Sequence, residues 1–330
     1  MSDGPVLVTA IVIAFGREDL LFECLQSLDA ALERVNGKTE LVVVLNRISA
    51  EGRKRLAGLS RPCILVEPET NIGFAGGMAV GIARSRGRWV ATFNDDCVLD
   101  PEAVVELLGA GRSRSDVGSV AAQVRFAGRP DVINSAGIDV DVFGVARERL
   151  LGMHVEWADR PVDVFGASGC AALYRRRMLT EVGGFDPTFF AYLEDADLAW
   201  RAQMFGWRCV YAPKAIVRHH HSMSLGHGSP EKLYLVGRNR VRMLAKNASS
   251  GLLRRNGLKM TMYDLLYVAH AAATKKSLAP AVGRMRGLVE WRRYRRVGTK
   301  RVDVDLAASA GLRAALRRDW LYAAVTDPPH

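Results

Sequence analysis

The sequence predicts an α/β protein in which a mostly parallel central sheet is flanked by helices and followed by a C-terminal helical extension. Helix-like stretches occur at 18–35 and 74–86. Short runs rich in β-branched residues, each bounded by polar or turn residues, alternate with them at 6–14, 41–45, 63–66 and 88–93. These runs are continuously apolar, which is the pattern of strands buried on both faces of a parallel sheet.

The first run, 6–14, has no basic leader and is too short to span a bilayer, so we interpret it as a buried strand and not a signal peptide. No later stretch reaches about 18 uninterrupted apolar residues, so an integral membrane protein is not expected. The helix predicted at 18–35 carries its apolar side chains on one face: Leu20, Leu21, Cys24, Leu25 and Leu28.

The middle of the chain, 119–175, is harder to interpret because it shows only weak alternation and many glycines. Residues 176–205 are predicted to be helical in two pieces. Further helices are predicted at 232–246, 258–273 and 278–296. We therefore divide the chain into an α/β domain, 1–230, and a basic amphipathic helical region, 231–330.

The net charge of +11 is concentrated at the C-terminal end of the chain, where residues 251–330 hold 16 of the 46 Lys and Arg residues and only 6 of the 35 acids. The five cysteines are scattered and form no CxxC pair, so neither a disulfide framework nor a zinc cluster is indicated. A reducing cytoplasm fits this usage.

Polar residues follow each predicted strand of the sheet. Ligands of parallel α/β sheets bind beyond the carboxyl ends of the strands. This rule places four segments on one rim: Phe15 to Arg17, Asn46, Glu67 to Asn71, and Asn94 to Asp96.

Two of these rim segments have a chemical interpretation. The "NDDCVLDP" segment at 94–101 offers oxygen ligands for Mg²⁺ or Mn²⁺ bridging to a diphosphate, and we favour this over a solvated helix cap, for which Asp100-Pro101-Glu102 is the better candidate. The glycine-rich turn at 70–87 suits a phosphate at a helix start, although a plain tight connection explains it equally well.

Two further clusters carry acids and histidines. In "FFAYLEDADLAWR" (189–201), Asp197 is explained by an i,i+4 pair with Arg201, whereas Glu194 and Asp195 follow aromatic residues and suit a general base with a raised pKa. In "VRHHHSMS" (217–224) one imidazole is a candidate metal ligand, although histidine runs also occur on surfaces.

Each of the two basic helical segments has two possible interpretations. Arg238, Arg240 and Arg242 suit either a phosphate clamp or a solvated face. The segment 278–296 has an apolar stripe surrounded by arginines, which favours an anionic membrane surface slightly over a helix packed on the domain. Nucleic acid is not expected as a partner, because no aromatic-basic platform accompanies the charge.

Taken together, the segments from "TAIVIAFGRED" through "NIGFAGGMAV", "FNDD", "ASGCA", "LEDAD" and "RHHHS" to "GRNRVRML" resemble glycosyltransferase family 2, over about residues 6–246. The resemblance is strongest to its rhamnosyltransferase-like and galactofuranosyltransferase-like branch. It implies a GT-A fold (Rossmann-like) and inverting transfer of a sugar such as rhamnose or galactofuranose from a dTDP- or UDP-type donor, with Mn²⁺ or Mg²⁺ as cofactor. It also implies a glycan or lipid-linked, cell-envelope acceptor, which would place the enzyme in the cytoplasm, peripheral on the inner face of the membrane.

The resemblance also assigns roles to individual residues. It implies Asp195 as catalytic base with Glu194 as its acidic neighbour, and Asp96 with His219, or His221 as the fallback, as metal ligands. Asp95 is expected to face the ribose. The residues expected at the donor are Phe15, Arg17, Asn46, Asn71, Gly73, Gly76, Asn94, Asp95, Gly169, Arg238 and Asn239.

Two departures from the family pattern concern the nucleotide pocket: Leu45-Asn46 stands where Asp-Asn is usual, and Phe15-Gly16-Arg17 where Tyr-Asn-Arg is usual. Two alternatives stay open, a non-catalytic nucleotide-sugar binder of the same fold and, with a poorer match in the early loop, a sugar nucleotidyltransferase. The sequence identifies neither the donor sugar nor the oligomeric state.

Overall fold

The computed structural model describes residues 4–220, 229–297, 301–309 and 311. The strands are β1 Val8–Phe15, β2 Thr39–Arg47, β3 Cys63–Val66, β4 Trp89–Asn94, β5 Cys97–Leu99, β6 Val117–Phe126, β7 Arg129–Ser135, β8 Ile138–Val140, β9 Ala146–Glu148, β10 Val162–Val164, β11 Ala171–Arg175 and β12 Arg208–His219. The α-helices are α1 Glu18–Glu33, α2 Ala50–Ala57, α3 Gly73–Arg84, α4 Ala103–Arg112, α5 Arg176–Val182, α6 Glu194–Met204, α7 Pro230–Asn247, α8 Ser250–Lys275, α9 Ala279–Val289 and α10 Trp291–Val297.

One half of the central sheet is the predicted parallel array, in the order β4-β1-β2-β3. β4, β1 and β2 are buried on both faces because α1 packs on one side and α3 on the other, whereas the edge strand β3 is only partly buried, with Leu65 41% exposed. Glycines let α3 approach closely: a Cβ on Gly77 or Gly81 would lie 2.9 Å from a side-chain atom of Ile13 or Ile11. The continuous apolar runs are therefore explained by helices on both faces, as predicted.

The other half of the sheet comes from the region that the sequence left unclear. β11 pairs antiparallel with both β4 and β6, and β12 then runs parallel to β6. β5 adds to β12, with Cys97 opposite His219. The sheet is therefore mixed but mostly parallel around its centre, and β11 brings the segment before Ala171 beside the end of β4.

The first helix of the C-terminal region, α7, packs against the preceding part of the chain. Met243 and Leu244 of α7 share an apolar cluster with Phe189 and Trp200. This cluster crosses the division that we predict at 230/231, since its members come from both sides of that point.

Several helix boundaries differ from the predictions. Helix α8 begins at Ser250, before the start of the helix expected at 258–273. The single helix expected over 278–296 is divided at Glu290 into α9 and α10. The cap expected at Asp100-Pro101-Glu102 precedes the helix start, since α4 begins at Ala103, whose N–H donates to the Asp100 carbonyl. Within the described part of the chain, no helix combines the length and the apolar character needed to cross a membrane.

Candidate active site

The two adjacent carboxylates at the end of β4 have different surroundings. The Oδ2 atom of Asp95 accepts the backbone N–H of Phe15 at 2.7 Å, which joins the ends of β4 and β1. Burial raises the pKa of Asp95 to about 6, against the effect of this hydrogen bond and with a contribution from the Asp96 charge. Asp95 thus holds the ends of β1 and β4 together. Its ionised form is disfavoured because the carboxylate is buried.

The second carboxylate, Asp96, lies against a histidine. The Nε2 atom of His219 is 3.0 Å from Asp96 Oδ1, and its Nδ1 atom is 2.9 Å from Asn134 Oδ1. Burial alone would lower the pKa of His219, but the Asp96 carboxylate raises it to about 9. β12 and β5 produce this contact by placing His219 opposite Cys97, directly after Asp96. The fallback ligand, His221, lies outside the described residues.

A divalent cation fits the donor chemistry of this pair. A buried carboxylate and a buried imidazole nitrogen are side by side, and both are ordinary ligands of such ions. The sulfur atoms of Cys97 and Cys170 lie nearby, and with a ring nitrogen of His219 all these ligand atoms are within 4.8 Å of one another. Burial raises the pKa of the Cys97 thiol well above its ordinary value, which disfavours the thiolate.

The predicted base, Asp195, lies in the first turn of α6 and reaches the same rim. Its Oδ2 atom accepts the N–H of Gly169 at 3.0 Å, and the next residue, Cys170, accepts the N–H of Asn94 at 2.9 Å. A short hydrogen-bonded strip therefore links Asp195 to the end of β4. Burial raises the pKa of Asp195, although the N–H groups of Gly169 and Ala196 oppose this.

The neighbour of the base, Glu194, is fully enclosed. Its Oε2 atom is buried and has no hydrogen-bond partner within the described ranges. Burial, with the Asp195 charge, raises its pKa well above the ordinary value, which favours the protonated form of Glu194. Asp195 is less enclosed than Glu194, which leaves it the more reachable of the two carboxyl groups.

Sequence reasoning missed one acid, Glu148 at the end of β9. Its Oε1 atom accepts the Ser168 hydroxyl at 3.1 Å, one residue before Gly169. Burial and the Asp195 charge raise the pKa of Glu148 to about 7, and the charges of Glu148 and His219 also influence each other. In "VARERL" this glutamate resembles an ordinary surface charge, so only the fold reveals its place.

The loop before Asp195 is strained. Phe190, Tyr192 and Leu193 have φ values of +67°, +70° and +67°, which side chains other than glycine rarely adopt. The amide nitrogen of Asn239, on α7, lies within 2.9 Å of three carbonyl oxygens of this loop, those of Phe189, Ala191 and Tyr192.

This contact corrects the role expected for Asn239. Because it is fully buried and its amide is occupied by loop carbonyls, it does not face a donor, and its influence on donor binding would act through the loop. Arg238 donates to the Phe189 carbonyl at 2.9 Å and supports the same loop.

The glycine-rich turn also differs from the expectation. A Cβ on Gly73, where φ is +71°, would lie 2.3 Å from the Phe190 carbonyl oxygen, and one on Gly76 would lie 2.9 Å from Ile72 Cβ. The close approaches that need glycine are therefore to protein atoms. The amide of Asn46 donates to the Gly73 carbonyl at 3.0 Å, and the Asn71 side chain accepts the Gly73 N–H at 2.9 Å, so both residues shape the turn.

The predicted arginines differ in exposure. Arg17 is exposed on the rim, where its guanidinium pairs with Asp19. Arg240 and Arg242 are neither a phosphate clamp nor a solvated face, since both are buried in ion pairs with Asp264 and Glu290. The structure thus collects Asp95, Asp96, Glu148, Asp195 and His219 in one site and assigns the α7 arginines 240 and 242 to packing.

The chain resembles known proteins over most of its length. Residues 5–243 match the protein family described as "Glycosyltransferase like family 2". An N-acetylglucosaminyl-diphospho-decaprenol L-rhamnosyltransferase of Mycobacterium tuberculosis is 34% identical over 138 residues, 42% of this chain and 44% of the relative. The match therefore spans less than half of that curated relative. An uncharacterized protein y4gI of Sinorhizobium fredii is 28% identical over 227 residues, 63% of this chain and 24% of that protein.

Solved structures share the fold at low sequence identity. GalNAc-T7 with UDP, GalNAc and Mn²⁺ has a TM-score of 0.60 at 12% identity, covering 99% of this chain and 59% of that one. The mannosyltransferase PcManGT from Pyrobaculum calidifontis, in complex with GDP-Man and Mn²⁺, has a TM-score of 0.54 at 17% identity, covering 96% and 89%. The first 349 residues of S. aureus TarS give 0.55 at 14% identity, covering 88% and 81%. The fold is therefore GT-A-like, and by its family match over most of its length the chain belongs to the family 2 glycosyltransferases.

Proposed function

We propose that the protein transfers a sugar from a nucleotide-diphosphate donor to a hydroxyl group, with inversion at the anomeric carbon. The observation that carries this proposal is the hydrogen-bonded strip from Asn94 through Cys170 and Gly169 to Asp195. It sets an acid suited to proton abstraction beside the Asp96–His219 pair suited to a cation. The reaction needs both functions within the length of one donor molecule.

In the proposed reaction, the acceptor oxygen bonds to the anomeric carbon while the bond from that carbon to the diphosphate breaks. The electron pair leaves with the nucleoside diphosphate, and the acceptor proton goes to the Asp195 carboxylate. The raised pKa of Asp195 makes it a stronger base than an exposed aspartate. Asp96 and His219 would hold Mn²⁺ or Mg²⁺, which would offset the negative charge that develops on the leaving diphosphate.

Because burial raises the pKa of Glu194, a second negative charge next to the base is disfavoured. The N–H of Gly169 holds one Asp195 oxygen in place, and the N–H of Ala196 holds the other at 2.7 Å. Each oxygen retains a lone pair for the acceptor proton. Asn239 preserves the strained loop from which Asp195 projects.

For the substrates, we propose a dTDP- or UDP-type donor carrying rhamnose or a galactofuranose-like sugar, and a lipid-linked or cell-envelope glycan as acceptor. The support is the likeness to a rhamnosyltransferase whose name describes a diphospho-decaprenol acceptor. Such an acceptor would place the enzyme at the cytoplasmic face of a membrane.

Thermal-shift titration of UDP, dTDP and GDP, each with and without Mn²⁺, tests donor binding. We expect one nucleotide to stabilise the protein only when Mn²⁺ is present, and Asp96→Asn to lose this dependence. Asp100→Asn is the matched control, because Asp100 lies four residues on, is exposed and pairs with Arg218. A metal-dependent shift retained in Asp96→Asn would reject the metal assignment.

The released product distinguishes the alternatives. A glycosyltransferase releases nucleoside diphosphate from its donor when the acceptor is added. A nucleotidyltransferase instead releases pyrophosphate from a nucleoside triphosphate, and a non-catalytic binder releases neither. Either of the last two outcomes would overturn the proposed function.

A further inference from the structure

Helix α9 packs with its apolar side outward. Its small residues face α7: a Cβ on Gly283 would lie 2.1 Å from the Tyr234 carbonyl oxygen, and one on Gly287 would lie 2.6 Å from Val241 Cβ. The large apolar residues, spaced to form one stripe, are exposed by 56% to 76%: Leu278, Val282, Met285 and Val289. A terminal helix that merely packs on its domain would bury this stripe.

Helix α8 shows the same feature, which the sequence did not reveal. Its inner face carries Tyr263 and Ala271, which are buried. Its exposed large apolar residues are spaced to lie on one side of the helix and are exposed by 52% to 77%: Leu258, Met262, Leu265 and Leu266. Exposed apolar residues in such number and spacing mark an interaction site.

The two stripes belong to adjoining helices. Ser277 donates its N–H to the Ala271 carbonyl, and Arg284 pairs with Asp264 at 2.9 Å. From Ser277 forward to Arg284, the contacted residue moves backward from Ala271 to Asp264. The helices α8 and α9 therefore form an antiparallel hairpin. We call the eight exposed residues named above the hairpin face.

Charges around the hairpin face are of one sign. Between residues 251 and 297 there are 11 Lys and Arg residues and only two acids, Asp264 and Glu290. Both acids already pair with arginines, Asp264 with Arg240 and Arg284, and Glu290 with Arg242 and Arg286. Arg292 and Arg293 on α10 are exposed and add positive charge to this part of the chain.

We propose that the hairpin face docks on the surface of an anionic lipid bilayer, with its apolar side chains among the acyl chains and its basic residues at the headgroups. An apolar stripe with surrounding arginines is the composition of helices that lie in the membrane interface. A second copy of the chain is a poorer occupant, because two such faces would bring together charges of the same sign. The inference goes beyond glycosyl transfer and does not depend on it.

Co-sedimentation with vesicles tests the inference on the full chain. We expect binding to vesicles of phosphatidylcholine with phosphatidylglycerol, and little binding to phosphatidylcholine alone. The double variant Val282→Gln/Met285→Gln should reduce the bound fraction about tenfold, since it removes the apolar anchor. Arg292→Gln/Arg293→Gln should reduce it by about tenfold or more, and this loss should disappear at high salt.

Trp157→Gln is the matched control, because Trp157 is a large apolar residue exposed by 68% outside the hairpin. It should bind vesicles as the unchanged protein does. All substituted side chains are exposed, so melting temperatures should stay the same, and nucleotide binding in solution should be unaffected. That last measurement separates a failure of docking from a failure of the proposed function.

Equal binding to both kinds of vesicle, or binding to neither, would overturn the proposal. So would a dimer, detected by light scattering, that Val282→Gln/Met285→Gln converts to monomer, since the face would then be an interface between copies.

Discussion

Asp197 and Glu148 are both buried carboxylates near the candidate site, yet their environments have opposite effects. Asp197 accepts hydrogen bonds from Arg201, Lys246 and Asn247 at 2.7 to 3.0 Å. Burial would raise its pKa, but Arg201 and Lys246 hold the pKa below the ordinary value. Glu148 accepts the Ser168 hydroxyl instead, and burial raises its pKa to about 7.

The direction of the pKa shift distinguishes structural acids from reactive ones within one short motif. In "LEDAD", Asp197 is surrounded by cations and connects α6 to α7, whereas Glu194 and Asp195, three and two residues earlier, have raised pKa values. Burial with cationic partners stabilises the fold. Burial without them costs free energy, and this cost is typical of functional sites.

Asp195→Asn should give the largest effect. Because the amide cannot take the acceptor proton, transfer should fall about 10³-fold, within the range for loss of a general base. Steady-state assay of nucleoside diphosphate release measures this. Glu181→Gln, at an exposed acid on α5, is the control and should leave the rate unchanged. Activity of Asp195→Asn equal to the unchanged protein would reject the base assignment.

Asp197→Asn should instead lower the free energy of unfolding, by about 3–5 kcal/mol, because Arg201 and Lys246 lose their buried counter-charge. Since the pKa of Asp197 is depressed in the folded state, its contribution is present at neutral pH and is lost as pH falls below the ordinary value of 3.8. Urea denaturation at pH 7 and pH 3 checks both points. A stability difference that grows on acidification would contradict this account.

Glu148→Gln should have the opposite effect and raise the free energy of unfolding. A raised pKa means that the folded state holds the proton more tightly, so Glu148 costs stability as pH rises from its ordinary pKa of 4.5 to about 7. The variant should be more stable than the unchanged protein by about 2–3 kcal/mol above pH 7, and equally stable below pH 4. Urea denaturation in the presence of a chelator measures this, and a destabilised variant at pH 8 would refute it.

Much of the fold was predictable, because the parallel half of the sheet shows itself in the local sequence. The runs at 6–14, 41–45, 63–66 and 88–93 became β1 to β4, and the rule about strand ends gathered Phe15, Asn46 and Asp95 on one rim. The pair of Asp197 with Arg201 was predictable from its spacing alone.

What the sequence could not provide depends on long-range contacts. β11 is central although it is short, and Glu148 reaches the site only because β9 lies near Ser168. The burial of Arg240 and Arg242 depends on acids 24 and 48 residues away. Glycines 73 and 76 are needed for packing against protein atoms that no local pattern identifies.

The anomeric configuration of the product tests the central claim most directly, namely that Asp195 acts as a base. A carboxylate that takes the acceptor proton permits a single displacement, whereas one that attacks the sugar requires two. NMR of the product formed from a donor of known configuration should show the inverted anomer. A product with the donor's configuration retained would contradict the account.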